Sequence, residues 1–547
     1  MEISVLIGGK AGQGIAKATF IIGKIFTNLG FFVFNYRNYS SLIKGGHNYN
    51  SIRISDTPVF SHEEIYDIII ALDENTIKKH LKKLKPDGIV ITTKEISEKY
   101  GNFIGVDARK IIEKEGLPEI SLNTILIGAF FSLFGVSWEE VEKVIKNELK
   151  KDVAVLAAKK GYDSIQKIRE IGKIKKEKRI FISGSEAIAL GAVYSGLDIY
   201  IAYPMTPSTP VLHFLAKNQK RFRIKTFQLE NEIAVVNAAL GASYAGAKVM
   251  VGTSGGGFAL MTEALSLQGI TEIPLVVYLA QRTAPSTGVP TYTEQGDLKF
   301  ALNAGHGEFP RVVIAPGDAK EAFYRTIEAF YLAYKYRVLS IILGDKHLAE
   351  SNYTFDFFEN PKVEAERFIL VGKEIPEDFK SYLITESGVS PRTVPGEKAV
   401  IRANSYEHDE NGITTEDAEI IARMKEKRLR KVEVLKREVD MFEPAIVYGS
   451  GENLIISWGS TKGAIIDSLK FLKNYRFLQI IYAEPFPTEI VKKEIENSGR
   501  IVIVENNATG LMAKVLRENT GIEIKEKILK YDGRPFTSSE IIRRLKM

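Results

Sequence analysis

The sequence predicts a multi-domain α/β protein with largely parallel sheets. Short apolar strands alternate with helices along most of the 547 residues, a pattern typical of parallel sheets covered by helices. The length corresponds to roughly three or four domains of ordinary size. Charged residues make up 26% and hydrophobic residues 45% of the chain. These values are typical of soluble globular proteins and exclude disordered, collagen-like and coiled-coil chains.

The first domain begins with an apolar strand at 3–7, a glycine turn and an amphipathic helix over 15–29. Residues 120–138 carry no charge, but their acidic flanks and small polar members favour a buried helix over a membrane span. A charged linker and a polar connecting region separate the predicted α/β domains. The predicted segments are 1–168 (first domain), 169–179 (linker), 180–350 (second domain), 351–440 (connecting region) and 441–547 (third domain).

The charge and cysteine counts narrow the possible functions. A net charge of +6 spread over this length is too small to indicate a nucleic-acid-binding protein. The chain has no cysteine, so it cannot hold an iron–sulfur cluster, a Cys-ligated zinc ion or a disulfide. The absence of disulfides and of a basic, apolar leader predicts a cytoplasmic protein. The 7 histidines show no metal-binding spacing, so no metal site is predicted.

The loops that follow buried strands of the second domain carry the candidate binding residues. The loop 203–210 contains three prolines, and the loops 253–257 and 281–288 follow two further strands. Open α/β sheets bind ligands at the carboxyl ends of their strands, so these loops are predicted to share one site. Arg282 can pair bidentately with a carboxylate, although a surface ion pair is an alternative interpretation.

Two acidic residues, Glu230 and Glu232, precede an almost wholly apolar helix predicted over 233–247. The helix dipole alone favours acidic residues in a first turn. A carboxyl group held against apolar surroundings instead has a raised pKa, which suits proton transfer. The residues alone leave both interpretations open.

Two loops of the first domain are less specific. The loop from Gly8 to Gly14 lies between a strand and a helix, where backbone amides can hold an anion. Its spacing departs from both the P-loop and the dinucleotide fingerprint, so a tight turn without a ligand is an equal alternative. Lys44 is followed by two glycines that let the backbone approach a ligand closely, but alone it is also typical of a solvated surface lysine.

Together these loops resemble those of 2-oxoacid:ferredoxin oxidoreductases, specifically the large α subunit with a γ domain fused at its N-terminus. The resemblance covers almost the whole chain. Its segments are Gly9–Gly14, Lys44–His47, Tyr203–Pro210, Gln228–Gly241, Thr253–Gly257, Pro285–Gly288, Glu407–Glu410 and Asp532–Thr537. Met205, where the family has isoleucine, and Thr283 and Ala284, where glycine is common, are mild departures that affect the shape of the pocket.

The resemblance implies a γ-type first domain, a second domain that binds the aminopyrimidine ring of thiamine diphosphate, and a transketolase-C-like third domain. It implies CoA-dependent oxidative decarboxylation of 2-oxoacids, with electrons passed to ferredoxin through a β subunit. That subunit is expected to bind the diphosphate, Mg²⁺ and a [4Fe-4S] cluster. No nucleic acid or membrane is expected as a partner. The alternatives are an inactive partner-binding or regulatory α/β subunit, and a nucleotide-dependent dehydrogenase that uses the Gly9 loop.

For the cofactor, the resemblance implies a role for Glu232, which its nine-residue spacing to Gly241 aligns with the family. Its carboxylate would hydrogen-bond the aminopyrimidine nitrogen and favour the imino tautomer, whose nitrogen removes the thiazolium C2 proton. Tyr203 and Pro204 are the other implied cofactor-binding residues.

For the substrate, the resemblance implies two groups of residues. Arg282, Thr206 and Thr287 would hold the substrate carboxylate. Lys44 and Asp409 would reach in from other domains to shape the far end of the pocket. The sequence leaves open which 2-oxoacid is preferred and how many αβ units assemble.

Overall fold

The structure is a computed structural model that describes residues 1–40, 45–171, 174 and 177–546. The chain forms two compact units, and each unit is assembled from separate chain segments. Unit 1 comprises Met1–Ser183, Glu350–Phe358 and Thr537–Met547, and unit 2 comprises Gly184–Ala349 and Glu359–Phe536. The predicted multi-domain α/β class is confirmed.

Unit 1 contains an eight-stranded mixed sheet. From one edge to the other, the strands are Ile104–Val106, Leu84–Thr93, Tyr66–Ala71, Glu2–Lys10, His47–Ser55, Phe32–Asn38, Asn352–Phe355 and Ile180–Ser183. The first four pair in parallel, and each later strand pairs antiparallel with its neighbour. The strand Ile180–Ser183 is therefore an edge strand of this sheet, whereas the sequence assigned it to the second domain.

Helices contribute the rest of the unit 1 core. They are Ile15–Asn28, Glu74–His80, Lys94–Tyr100, Ala108–Glu115, Ser121–Leu133, Trp138–Leu149, Asp152–Asp163 and Ser538–Lys546. Two of them pack unusually closely, because a Cβ atom on Gly128 would lie 2.0 Å from the carbonyl oxygen of Ala158. Helix Ser121–Leu133 is buried along most of its length, which confirms the buried helix predicted within 120–138. In the described part of the chain, no helix combines the length and apolarity needed to cross a bilayer.

Unit 2 contains two sheets. In the seven-stranded sheet the order is Tyr482–Glu484, Arg311–Ile314, Leu339–Asp345, Leu275–Gln281, Val249–Thr253, Ile199–Ala202 and Lys225–Gln228. These strands run parallel except Tyr482–Glu484, which pairs antiparallel. In the five-stranded sheet the order is Ala445–Tyr448, Tyr475–Ile480, Asn453–Trp458, Ile501–Glu505 and Glu526–Leu529, and only Ala445–Tyr448 is antiparallel.

The two sheets of unit 2 contribute to one apolar core, in which Val251 and Leu279 belong to the same cluster as Ile456 and Leu478. The helices of this unit are Gly184–Tyr194, Thr209–Phe222, Glu232–Tyr244, Gly255–Thr271, Leu298–Asn303, Ala319–Tyr336, Ala418–Asp440, Lys462–Leu469, Thr488–Glu496 and Leu511–Thr520. The short helix Lys346–Glu350 begins in unit 2, and its last residue belongs to unit 1. The polar connecting region before Ala418–Asp440 is largely irregular. The five predicted segment limits stay predictions.

Candidate active site

Three neighbouring parallel strands of the seven-stranded sheet end at the same edge. Val249–Thr253 lies between Ile199–Ala202 and Leu275–Gln281 and is hydrogen-bonded to both. Since the strands are parallel, the loops after residues 202, 253 and 281 leave the sheet side by side. The loops after residues 202 and 281 carry the candidates Tyr203, Pro204, Thr206, Arg282 and Thr287, whereas Glu232 follows the strand Lys225–Gln228 at the edge of the same sheet.

Glu232 is the first residue of helix Glu232–Tyr244, directly after Asn231, whose side chain caps the helix by accepting from the Ala234 amide at 2.9 Å. This cap directs Glu232 inward, where it is only 2% exposed. Glu230, two residues earlier, is exposed. Thr253 Oγ1 donates to Glu232 Oε1 at 3.5 Å, a long contact. The buried carboxylate therefore keeps most of its capacity to accept or share a hydrogen bond.

The glycine turn that starts helix Gly255–Thr271 makes room for two carboxylates. A Cβ atom on Gly257 would lie 2.2 Å from Glu232 Oε1, and a Cβ atom on Gly255 would lie 2.6 Å from Asp297 Oδ2. Any larger residue at either position would displace an acidic side chain. Close side-chain approach thus requires glycine at 255 and 257, whereas a Cβ atom on Gly256 would meet nothing within 4 Å.

Arg282 and Thr206 are brought together at this edge. Arg282 is 9% exposed, and its Nη1 donates to the backbone carbonyl oxygen of Thr206 at 2.7 Å. Burial lowers the pKa of the Arg282 guanidinium, and the charge of Asp297 opposes this shift. Thr206 is half-buried, whereas Thr287, in the same loop as Arg282, is exposed.

The structure adds Asp297, which the sequence did not single out and which lies beside Gly255. Burial raises the pKa of Asp297 to about 6, and the charge of Arg282 partly offsets this effect. Asp297 was overlooked because an aspartate directly before the helix Leu298–Asn303 resembles an ordinary helix cap.

The remaining predicted site residues, namely Tyr203, Pro204, Asp409 and Lys44, differ in exposure and in hydrogen bonding. Tyr203 is 38% exposed, and Pro204 is half-buried. The carboxylate of Asp409 accepts from the amides of Asn411 and Ile413, both at 2.9 Å, and so closes its own turn. Lys44 lies outside the described residues. The roles assigned to all of these side chains stay predictions.

The first-domain glycine loop forms a tight turn. The Lys10 amide donates to Gln13 Oε1 at 2.7 Å, and Asn123 Nδ2 donates to the Gln13 carbonyl oxygen at 2.7 Å. Gly14 takes φ 74° directly before helix Ile15–Asn28, a backbone conformation that favours glycine. Local geometry thus explains these glycines without a ligand.

Residues 4–164 match the family described as "Pyruvate ferredoxin/flavodoxin oxidoreductase". Residues 190–427 match "Pyruvate flavodoxin/ferredoxin oxidoreductase, thiamine diP-bdg". The 2-oxoacid:ferredoxin oxidoreductase subunit alpha of Sulfolobus sp is 32% identical over 617 aligned positions, which cover 99% of this chain and 96% of the relative. The chain belongs to the family of 2-oxoacid:ferredoxin oxidoreductase alpha subunits. The predicted family and enzyme class are confirmed.

Two further comparisons also show similarity along the whole chain. The alpha subunit of Saccharolobus solfataricus is 33% identical over 614 aligned positions, with 99% of this chain and 97% of the relative covered. A solved 2-oxoglutarate:ferredoxin oxidoreductase from Magnetococcus marinus is 26% identical and superimposes with a TM-score of 0.88, covering 100% of this chain and 99% of the other.

The residues at the glycine turn fit the thiamine diphosphate that this family domain binds. The aminopyrimidine ring offers nitrogen atoms that pair with a carboxyl group, and Glu232 is a buried carboxyl group with one long hydrogen bond. Buried polar groups normally have partners, so this spare capacity is an unusual feature of the site. The burial and spare hydrogen-bonding capacity of Glu232 fit such a ring, and its role stays a prediction.

Proposed function

We propose that this chain works with a β subunit in the CoA-dependent oxidative decarboxylation of a 2-oxoacid, with ferredoxin as electron acceptor. The substrate class, a 2-oxoacid, and the electron acceptor, ferredoxin, are taken from the names of the relatives. The Magnetococcus marinus protein was solved with 2-oxoglutarate, coenzyme A and succinyl-CoA bound. This chain has no cysteine, which supports an iron–sulfur cluster on a partner subunit.

The proposal rests mainly on the carboxyl group of Glu232, which is buried and packs closely against Gly257. Thiamine diphosphate, when bound, supplies a carbon nucleophile for the 2-oxo group and accepts the electrons that decarboxylation releases. Glu232 would hydrogen-bond a nitrogen of the cofactor's aminopyrimidine ring, and its carboxyl oxygen would hold or accept the proton of that bond. Its burial excludes water and strengthens that hydrogen bond.

Arg282 is proposed to hold the substrate carboxylate. A guanidinium has five N–H donors in a planar fork, so the bond to the Thr206 carbonyl leaves donors for an incoming carboxylate. The same bond fixes the orientation of the fork before substrate binds. Asp297 offsets part of the positive charge while the site is empty of substrate.

Co-expression with a β subunit, followed by a viologen-reduction assay with CoA and several 2-oxoacids, tests the proposal. We expect the Glu232→Gln complex to lose about 100-fold or more in kcat, because the substitution removes the ionisable group at constant size. Glu230→Gln is the matched control, since Glu230 is exposed, and should keep normal turnover.

The assay also separates the competing interpretations. Normal turnover in Glu232→Gln would refute the role of this carboxyl group. A wild-type complex without thiamine-dependent turnover would instead indicate a partner-binding or regulatory subunit. The isolated chain is expected to be colourless and inactive, and a brown, active isolated chain would refute the need for a β subunit.

A further inference from the structure

A group of buried cations lies away from the candidate active site, around the carboxylate of Glu272. Lys427 Nζ lies 2.6 Å from Glu272 Oε1, and Lys431 Nζ lies 2.5 Å from Glu272 Oε2. The three side chains are at most 2% exposed. Arg337 also contacts Glu272, because its Nε donates to the Glu272 carbonyl oxygen at 3.1 Å.

The positive charge of this group exceeds its negative charge. Four cations are at least nine-tenths buried, namely Arg337, Arg392, Lys427 and Lys431. The first, third and fourth of these contact Glu272, and Arg392 lines the same small cavity as Glu272. Of the carboxylates that flank the group, Glu407 pairs with Arg428 and Asp198 pairs with Arg367.

Two helix C-termini contribute further negative charge. Glu272 follows helix Gly255–Thr271, and Arg337 follows helix Ala319–Tyr336. Each helix end supplies about half a negative charge. Since burial lowers the pKa of Lys431 to about 7, that lysine is about half charged at neutral pH, and more than one positive charge still remains uncompensated. Buried charges without a counter-charge are strongly unfavourable.

A small cavity of about 30 Å³ adjoins this group. It is lined by Arg337, Arg392, Ser381, Glu272, Tyr382 and Thr393, among other residues. Arg392 is 7% exposed and Ser381 is 9% exposed. In the part of the chain that the structure describes, Arg392 Nη1 and Ser381 Oγ are both buried without a hydrogen-bond partner.

We propose that this cavity binds one chloride ion, with Arg392 Nη1 and Ser381 Oγ as donors. The cavity has room for at least one water-sized sphere, which is enough for a small monatomic anion such as a halide. One bound anion would satisfy two donors that are otherwise costly to bury. It would also compensate part of the excess positive charge.

The surroundings indicate what the ion does. Arg337 Nη1 donates to the carbonyl oxygens of Ser381 and Pro391 at 2.7 and 3.1 Å, so the cation group already holds the connecting region. Burial lowers the pKa of Lys431 to about 7 and that of Lys427 to about 8, with Glu272 opposing both shifts. A chloride ion nearby keeps both lysines charged and stabilises the packing of the connecting region on the two helix ends.

Thermal unfolding of the full chain in chloride and in gluconate, at one pH and one ionic strength, tests the site. We expect the melting temperature to rise with chloride along a saturating curve, by about 2 °C at twenty times the dissociation constant. Crystals grown in bromide should show an anomalous peak in the cavity between Arg392 and Ser381.

Two conservative variants make the test specific. Ser381→Ala removes one donor, and Arg392→Lys removes the planar fork, so both should lose most of the chloride response. Arg517→Lys, at an arginine whose side chain is 63% exposed, is the matched control and should respond as the wild type does. A chloride-independent wild type, an unchanged response in both cavity variants, or a water molecule in place of bromide would each overturn the proposal.

Discussion

Replacing Gly257 by alanine tests whether the position of the Glu232 carboxylate limits the rate. The new Cβ atom would lie 2.1 Å from Thr253 Oγ1 and 2.2 Å from Glu232 Oε1, whereas real Cβ contacts essentially never fall below 3.0 Å. The hydroxyl and the carboxylate must therefore move by about 0.8 to 0.9 Å, or the helix must shift by that amount. The two groups are buried, so neither has free space in solvent to move into.

The displacement sets the expected magnitudes. A misplacement of about 1 Å in a positioning group costs about 100-fold in rate. Overpacking costs about 1 to 3 kcal/mol of unfolding free energy, but alanine recovers up to about 1 kcal/mol relative to glycine in a helix. We expect kcat/KM of the Gly257→Ala complex to fall about 100-fold, with at most about 3 kcal/mol lost in unfolding free energy.

The assay combines viologen reduction by the complex, at several thiamine diphosphate concentrations, with thermal unfolding of the chain. Gly256→Ala is the matched control for stability, since a Cβ atom there would meet nothing within 4 Å. Its melting temperature should be unchanged or slightly higher. Wild-type kcat/KM in Gly257→Ala, with normal melting, would refute the argument that this carboxylate must stay in place.

Two further predictions concern the neighbouring loop. Arg282→Lys and Arg282→Ala should lose about 30- to 1000-fold in kcat/KM on every 2-oxoacid, because losing a charged hydrogen bond costs about 2 to 4 kcal/mol. A loss confined to one substrate would instead indicate that Arg282 contacts the variable side chain of the 2-oxoacid and not its carboxylate. Burial raises the pKa of Asp297 to about 6, above its unfolded value, so its ionisation costs stability as the pH rises from about 4 to 6. Asp297→Asn should therefore gain roughly 2 to 3 kcal/mol over wild type across that range in urea unfolding, and a pH-independent difference would contradict this.

Apolar patterns were sufficient to predict most strands but not their partners. The run at Ile180–Ser183 indicates a strand, yet three apolar residues and a serine contain no information about the sheet that they join. Its partner, Asn352–Phe355, was missed because its sequence Asn-Tyr-Thr-Phe lacks the apolar pattern of a buried strand. These pairings join residues about 170 positions apart, and only tertiary packing decides them.

For the site, the sequence could predict which loops meet, because parallel strands place their carboxyl ends together. The residues alone did not show whether Glu232 or Glu230 is the functional carboxylate, and only the family resemblance favoured Glu232. In the structure the two differ in burial, because Glu232 is buried and Glu230 is exposed. Asp297 could not be predicted, because its proximity to Gly255 depends on how the loop after Arg282 folds back. Close approaches of this kind leave no pattern in the local sequence.

The segmented construction of unit 1 has a consequence for how the protein is made. Residues 350–358 and 537–547 belong to this unit, although most of unit 2 lies between them and the N-terminal segment. While the chain is being synthesised, the edge of strand Phe32–Asn38 stays open until Asn352–Phe355 emerges, and open strand edges invite aggregation. The contact between Ser538 Oγ and Glu63 Oε1, 2.6 Å long, forms later still. The unit that leaves the ribosome first is therefore the last to be completed, the reverse of the usual N-terminal-first order of folding.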